Sequence, residues 1–349
     1  ATTYTASEVA RPIVMGDVLY FPGVGAEFST IYEYFFDDSS LSNTAANVTK
    51  HIEDYIGNDV LMMTADPTTG TLFVLTTADQ NRLYIYKTFF DGNEKLQSSW
   101  SRYEFGATEA DAFIIGMDAV SGFLVFVIQR EDGSIYLEQM GLERELQDPV
   151  MGFTPFLDQR EIVTPTYDAG TNLSTFALSF DHNDDVQIVL GNGHGNDSGI
   201  QPTAAYPTAS TVTAAGDLTA GPSYVGRDYT MTVKLSQLFV KESTGTATPT
   251  VLTGRLQLKD ITFRLVDTGF LKATVERSPT PANDYTFEGK IIGSNVQVGS
   301  PVMASTFFRV PIWADSRSVE ITLMNDQPQP SIVAAAAWRG FFSELSRQE

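Results

Sequence analysis

Residues 59–105, DVLMMTADPTTGTLFVLTTADQNRLYIYKTFFDGNEKLQSSWSRYEF, carry the clearest statement of the fold. The stretch parses into four strand-like runs: DVLMMTA (59–65), TLFVLTT (71–77), RLYIYKTFF (82–90) and SSWSRYEF (98–105). Each is rich in β-branched, aromatic and long apolar residues, which suit a pleated, half-buried surface. Between them stand residues that favour turns. Asp66-Pro67-Thr68-Thr69-Gly70 closes the first connection, and Phe90-Asp91-Gly92-Asn93 opens the last.

The same unit recurs on either side. Ile31-Tyr32, Leu83-Tyr84 and Ile135-Tyr136 follow one another at 52-residue intervals. Upstream of each lies a glycine and an apolar run: Gly16 with VLYF, Gly70 with TLFVL and Gly122 with FLVFV. Four antiparallel strands repeated at this period are the sequence form of a β-propeller blade, in which radial stacking covers both apolar faces of each small sheet. A run of β-meanders in one sandwich is the alternative. Three blades do not close a ring, for which roughly four to eight are used.

Beyond Pro149 the repeat stops. STFALSF and DVQIVL flank the turn DHND, and residues 193–223 are dense in Gly, Ala, Thr and Pro, with few large apolar side chains. That composition predicts a turn-rich β segment, either a tip or gating loop or a passive linker. From Tyr224 strands resume with clean alternation, as in KLSQLFVK and QLKDITFRL, which predicts a β-sandwich or platform domain. SIVAAAAWRGFFSEL fits a helix or a strand of small side chains. The expected architecture is all-β: propeller blades over 1–150, a turn-rich segment over 151–223, and a sandwich with a C-terminal tail over 224–349.

Composition narrows the function. The 349 residues hold no cysteine, which excludes disulfides, thiolate nucleophiles and Cys-ligated metal clusters. The net charge of -21 is unevenly spread: the first 220 residues hold 9 basic and 31 acidic side chains, the remainder 13 and 12. An acidic excess opposes general affinity for nucleic acid, which comes from Lys and Arg neutralising phosphates. The start ATTYTASEVA has neither an initiator Met nor a signal-peptide layout, so the chain reads as part of a longer one.

Motifs for catalysis are scarce. Of three histidines, His51 has no companion motif, His182 sits in the polar turn DHNDD, and His194 lies in GNGHGND without a calcium ladder. Acidic neighbours such as Asp37-Asp38, Glu53-Asp54 and Glu131-Asp132 could in principle support glycoside hydrolysis. With 43 acids such neighbours arise by chance, and adjacent strand residues point to opposite faces. In SWSRYEF, Trp100, Arg102 and Glu104 share one face, as in an ordinary blade strand with an Arg–Glu pair. No cofactor and no metal are expected.

The phrases YKTFFDGNEKLQSSWSRYEF and GRLQLKDITFRLVDTG, with YVGRDYTMTVKLSQLFVK and ITLMNDQPQPSIVAAAAWRGFFSELSR, give the chain a family likeness. It resembles the tail tubular protein B, or tail nozzle, family of short-tailed bacteriophages over essentially its whole length; residues 193–223 match poorly. Family members are roughly twice as long. The resemblance implies a non-enzymatic virion protein with a propeller and a platform domain, assembled in the host cytoplasm into a homo-hexameric ring. Its implied partners are the tail adaptor ring, tail fibres, the host cell surface and double-stranded DNA in transit without specific binding. An acidic lumen would repel phosphates and keep DNA from sticking. Asp181, Asp184, Asp185, His194 and Asp197 are candidates for the channel or tip loop. Arg255, Lys259, Arg264 and Lys272, in the near-neutral region, are candidates for subunit or adaptor contacts. Two other readings stay open: a tail-associated polysaccharide hydrolase using a propeller acidic pair, and a carbohydrate-binding propeller without catalysis.

Overall fold

Each strand-like run of 59–105 becomes a strand of one antiparallel sheet in the computed structural model, which describes residues 6–24, 28–37, 41–91, 94–105, 113–130, 133–142, 148, 150–241, 250–251, 254–289 and 302–344. The chain divides into two units, Ala1–Glu145 and Leu146–Glu349.

The first unit holds three consecutive up-and-down sheets. They are β1 (Ile13–Met15), β2 (Val18–Gly23), β3 (Thr30–Asp37) and β4 (Ser42–Asn47); then β5 (Val60–Asp66), β6 (Thr71–Thr76), β7 (Arg82–Asp91) and β8 (Glu94–Glu104); then β9 (Phe113–Val120), β10 (Phe123–Gln129) and β11 (Ile135–Gly141). The repeat has a backbone basis. Gly16, Gly70 and Gly122 each sit in the first turn of their sheet with φ of 62°, 63° and 82°, a left-handed conformation that glycine adopts without steric cost. At Gly70 a side chain is doubly excluded, since a Cβ would lie 2.7 Å from the Thr88 carbonyl oxygen. Asp66 fixes that turn by accepting from the backbone N–H of Thr68 and Thr69 and from the Thr69 hydroxyl.

Successive sheets pack face to face. Leu72, Val74, Tyr84 and Tyr86 of the second sheet meet Tyr20 and Ile31 of the first. Phe73, Leu75, Leu83 and Ile85, on the opposite face, meet Ile114, Leu124, Phe126 and Ile128 of the third. Alternation along the strand sends odd and even residues to different neighbours, so all six residues of β6 are buried. Lys95 on β8 pairs with the buried Glu33 on β3, and the Trp100 indole N–H donates to the Val48 carbonyl. The matched strand cores are not equivalent, however: Ile31 and Leu83 are fully buried, whereas Ile135 is 62% exposed. Among the described residues the third sheet has three strands, so β11 is left at an edge with no fourth strand beside it.

The second unit contains two sandwiches. Its first part comprises β12 (Asp158–Val163), β13 (Thr166–Asp168), β14 (Leu173–Ala177), β15 (Val186–Leu190), a 3-10 segment (Asn192–Asp197), β16 (Ala205–Thr208), β17 (Thr211–Ala215) and β18 (Ser223–Arg227). Sheets β12-β18-β15 and β13-β14-β17-β16 enclose Phe176, Ile188, Leu190, Val212, Ala214 and Val225. Residues 193–223 are therefore not merely turns. They supply β16 and β17, which bury Val212 and Ala214 beside Phe176 and Ile188 and pack Tyr206 against the same core. Because β18 is the central strand of its sheet, this sandwich extends through Arg227, past the boundary expected at 223.

The C-terminal sandwich comprises β19 (Met231–Lys234), β20 (Gly254–Thr268), β21 (Phe270–Arg277), β22 (Thr280–Glu288), β23 (Ala304–Asp315), β24 (Val319–Asn325) and β25 (Val333–Glu344). Sheets β19-β24-β21-β22 and β23-β20-β25 face each other across Leu258, Ile261, Phe263, Leu271, Val275, Val310, Ile312 and Leu323. The alanine-rich C-terminal run is strand β25. Of the DYTMTVKLSQLFVK run, only Met231–Lys234 forms a strand.

Candidate functional site

The outward face of β23-β20-β25 gathers paired charges and exposed aromatic side chains. Besides irregularities near its end, at 264–268, the alternation of β20 breaks where its register with both neighbours shifts between Leu258 and Asp260. This bulge carries Asp260 to the outer face opposite Arg339, while Leu258 and Ile261 stay in the core. Asp260 is only 1% exposed, because two guanidiniums cover it. Arg339 donates to both carboxylate oxygens, at 3.0 and 2.8 Å, and Arg309 to one at 2.7 Å. The hydrogen bond from Arg339 is the largest influence on the Asp260 carboxyl. With Arg309 it outweighs burial and holds the pKa at about 2. Both arginines remain more than half exposed, so their other N–H groups face solvent.

Three of the four candidate contact residues join this face. Arg255 pairs with Asp315 at 3.0 Å, the Lys259 amine lies 5.3 Å from the Trp313 ring centroid, and Arg264 is exposed directly opposite Phe307. Lys272 does not join them. It lies on β21 in the other sheet, paired with Asp284 at 2.8 Å. Sequence reasoning missed Asp260, Arg309 and Arg339, and also the exposed Phe307, Trp313 and Phe341. The only available signal was the strand register, which alone brings residues 49 and 79 positions apart together.

The acidic candidates Asp181, Asp184 and Asp185 cluster at the turn between β14 and β15. Arg227 fastens this turn, donating to the Asp181 carbonyl at 2.9 Å and approaching the Asp185 carboxylate at 3.5 Å. His182 is buried beneath it. One ring nitrogen lies 3.2 Å from the Thr211 carbonyl, and the other accepts from the Asp184 N–H. Both nitrogens are thus used structurally. Burial, with Asp185 adding to it, pushes the nearby Asp228 carboxyl up.

Asp197 is exposed at the end of the 3-10 segment, whereas His194 is tied in: its Nε2 lies 3.1 Å from the Gly221 carbonyl and 3.3 Å from the Ser223 hydroxyl. The glycines here allow backbones to touch. A Cβ on Gly191 would lie 2.2 Å from the Pro222 carbonyl, and one on Gly193 2.8 Å from the Gly221 Cα.

Among the described residues no group of three or more His, Asp or Glu is placed to hold a metal ion. Of the acidic neighbours considered for hydrolysis, Glu53 and Asp54 are solvent-exposed, while Asp38, Glu131 and Asp132 lie outside the described residues. Arg102 pairs with Glu104 at 3.0 Å and covers the Tyr55 ring, as expected of an ordinary structural strand.

The regular elements among the described residues are strands apart from one 3-10 segment, arranged as small antiparallel sheets. Among known families, the bacteriophage nozzle protein model matches residues 1–348. The chain belongs to that family of phage tail components. It is 24% identical over 364 aligned positions to the tail tubular protein gp12 of Escherichia phage T7, covering 99% of this chain. The chain spans 44% of that relative's length. Among solved structures, exo-beta-1,3-galactanase from Phanerochaete chrysosporium aligns over 97% of this chain and 96% of its own, at 9% identity and a TM-score of 0.22. A second structure of that enzyme aligns over 95% and 85%, at 10% identity and a TM-score of 0.17. Scores this low carry no argument about fold or activity.

Proposed function

We propose that this chain is a non-enzymatic wall segment of a phage tail nozzle, acting by assembly into a ring around the DNA exit channel. The observation that carries this reading is the charge distribution in a member of the nozzle family: 31 acids against 9 bases over the first 220 residues. Fixed negative charge on a channel wall repels phosphate without closing the bore, because screening confines the field to about 8 Å at physiological salt. Asp181, Asp184, Asp185 and Asp197 are proposed for the channel or tip surface. The ring is proposed to be a homo-hexamer meeting an adaptor ring, tail fibres and the host surface.

In this reading the three stacked sheets of the first unit are blades of a β-propeller. Support comes from the face-to-face packing of successive sheets and the two-sided burial of β6. Closure needs at least one more blade, and the greater length of the relative leaves room for it.

The reading is tested with DNA itself. At low salt, where basic proteins retard DNA most strongly, the purified chain is expected to leave the electrophoretic mobility of a double-stranded fragment unchanged up to about 100 μM. Salt-sensitive retardation at micromolar protein would contradict a wall that repels its cargo.

A further inference from the structure

We infer that the outer face of β23-β20-β25, together with the open edge of β25, is a docking surface for the acidic part of a second copy of this chain. The inference rests on the ring-forming reading above and names the surface that would carry it.

Three observations converge on this face. The first is the edge. β25 pairs with β20 on one side, and no strand among the described residues pairs with the other. Its sequence from Val333, VAAAAWRGFFSE, is apolar, and residues 333–341 are exposed. Natural edges are blunted by charges or proline. Within 333–343 the only charge is Arg339, which is drawn back onto Asp260.

The second is Trp313. It is 57% exposed and holds φ at 51°, a left-handed conformation costly for a bulky residue. Trp313 lies in the bulge of β23, where two residues stand opposite Lys259 alone; the ring it turns to solvent, with Lys259 against it, suits a binding anchor.

The third is charge. Arg255, Lys259, Arg264, Arg309 and Arg339 share the face with Phe307 and Phe341; among the described residues the acids beside them are Asp260, the Asp315 that pairs with Arg255, and Asp267, hydrogen-bonded to Ser305 near the end of β20. An acidic protein surface complements this pattern. The chain's own first 220 residues, with a net charge of -22, provide one. DNA fits less well, because two of the guanidiniums are already committed to Asp260 and a free strand edge offers a duplex nothing.

Sedimentation velocity of the whole chain, in low and high salt, tests this with three variants. Trp313→Gly removes the anchor and relieves the backbone, Arg264→Glu reverses a face charge, and Ala336→Lys charges the edge. Unmutated chain is expected to self-associate, more weakly as salt rises. Each variant should weaken association at least tenfold while its melting temperature stays within a few degrees, with Trp313→Gly equal to or above the parent. Zero-length cross-linking of isotopically mixed copies should join Lys259 to a carboxylate within residues 1–220 of another copy. Association unchanged in all three variants overturns the inference and leaves the nozzle reading standing. A chain monomeric at about 100 μM in low salt overturns the second copy as occupant, as does DNA binding abolished by Arg264→Glu. The nozzle reading is decided separately, by where the protein sits in the tail.

Discussion

Phe73→Ala is expected to destabilise the first unit by about 3–5 kcal/mol, the usual cost of truncating a fully buried phenylalanine. Phe73 is 1% exposed in the centre of β6 and packs with Leu75, Leu83, Phe126 and Ile128 between the second and third sheets. The cavity cannot close by a simple collapse, because the other face of β6 is fixed against the first sheet through Leu72 and Val74. Hydrogen exchange followed by mass spectrometry checks both magnitude and place. Protection should fall across residues 60–141 and stay unchanged in the C-terminal sandwich. A loss spread evenly over both units would mean that the stacked sheets are not an independent core.

The second large effect is at Asp260. Asp260→Asn keeps the shape but turns an amide toward two guanidiniums, replacing three charge-assisted hydrogen bonds with weaker or opposed contacts. The expected cost at neutral pH is about 2–3 kcal/mol, with the arginines' exposure keeping it below that of a fully buried pair. The pH dependence has a definite sign. A carboxyl whose folded pKa is depressed to about 2 adds stability above its unfolded pKa of about 4, and loses it as pH falls through 2. Denaturant midpoints of the parent and Asp260→Asn should therefore differ clearly at pH 7 and converge near pH 2. A gap that persists at pH 2 would assign the effect to packing instead of charge.

Much of the fold was legible in the sequence because strand periodicity and turn chemistry are local. The runs at 71–77 and 82–90 match β6 and β7 to within a residue, and Gly16, Gly70 and Gly122 mark equivalent turns because each needs a positive φ. Less legible was what small residues can do when partners are large. Thr211–Ala215 looked like linker sequence, yet Val212 and Ala214 are buried against Phe176 and Ile188. The glycines at 191, 193 and 221 permit close backbone contact. The outer face of β23-β20-β25 was half visible. Arg255, Lys259 and Arg264 stood out as cations on one strand, but Lys272 has the same charge on a different sheet. Strict alternation from Leu256 and Leu258 would place Asp260 on the core face. Only the bulge and the distant arginines make it the hub of the face.

The central claim is that this chain forms part of the acidic wall of a phage tail nozzle. Cryo-electron microscopy of the intact tail tests it most directly, by placing the chain and mapping the potential of the surface facing the axis. The account predicts a ring of six copies whose bore, along residues 1–220, is continuously negative, with the β23-β20-β25 face buried against a neighbouring subunit. A chain lying off the axis, or a bore that is neutral or positive along that stretch, would contradict it.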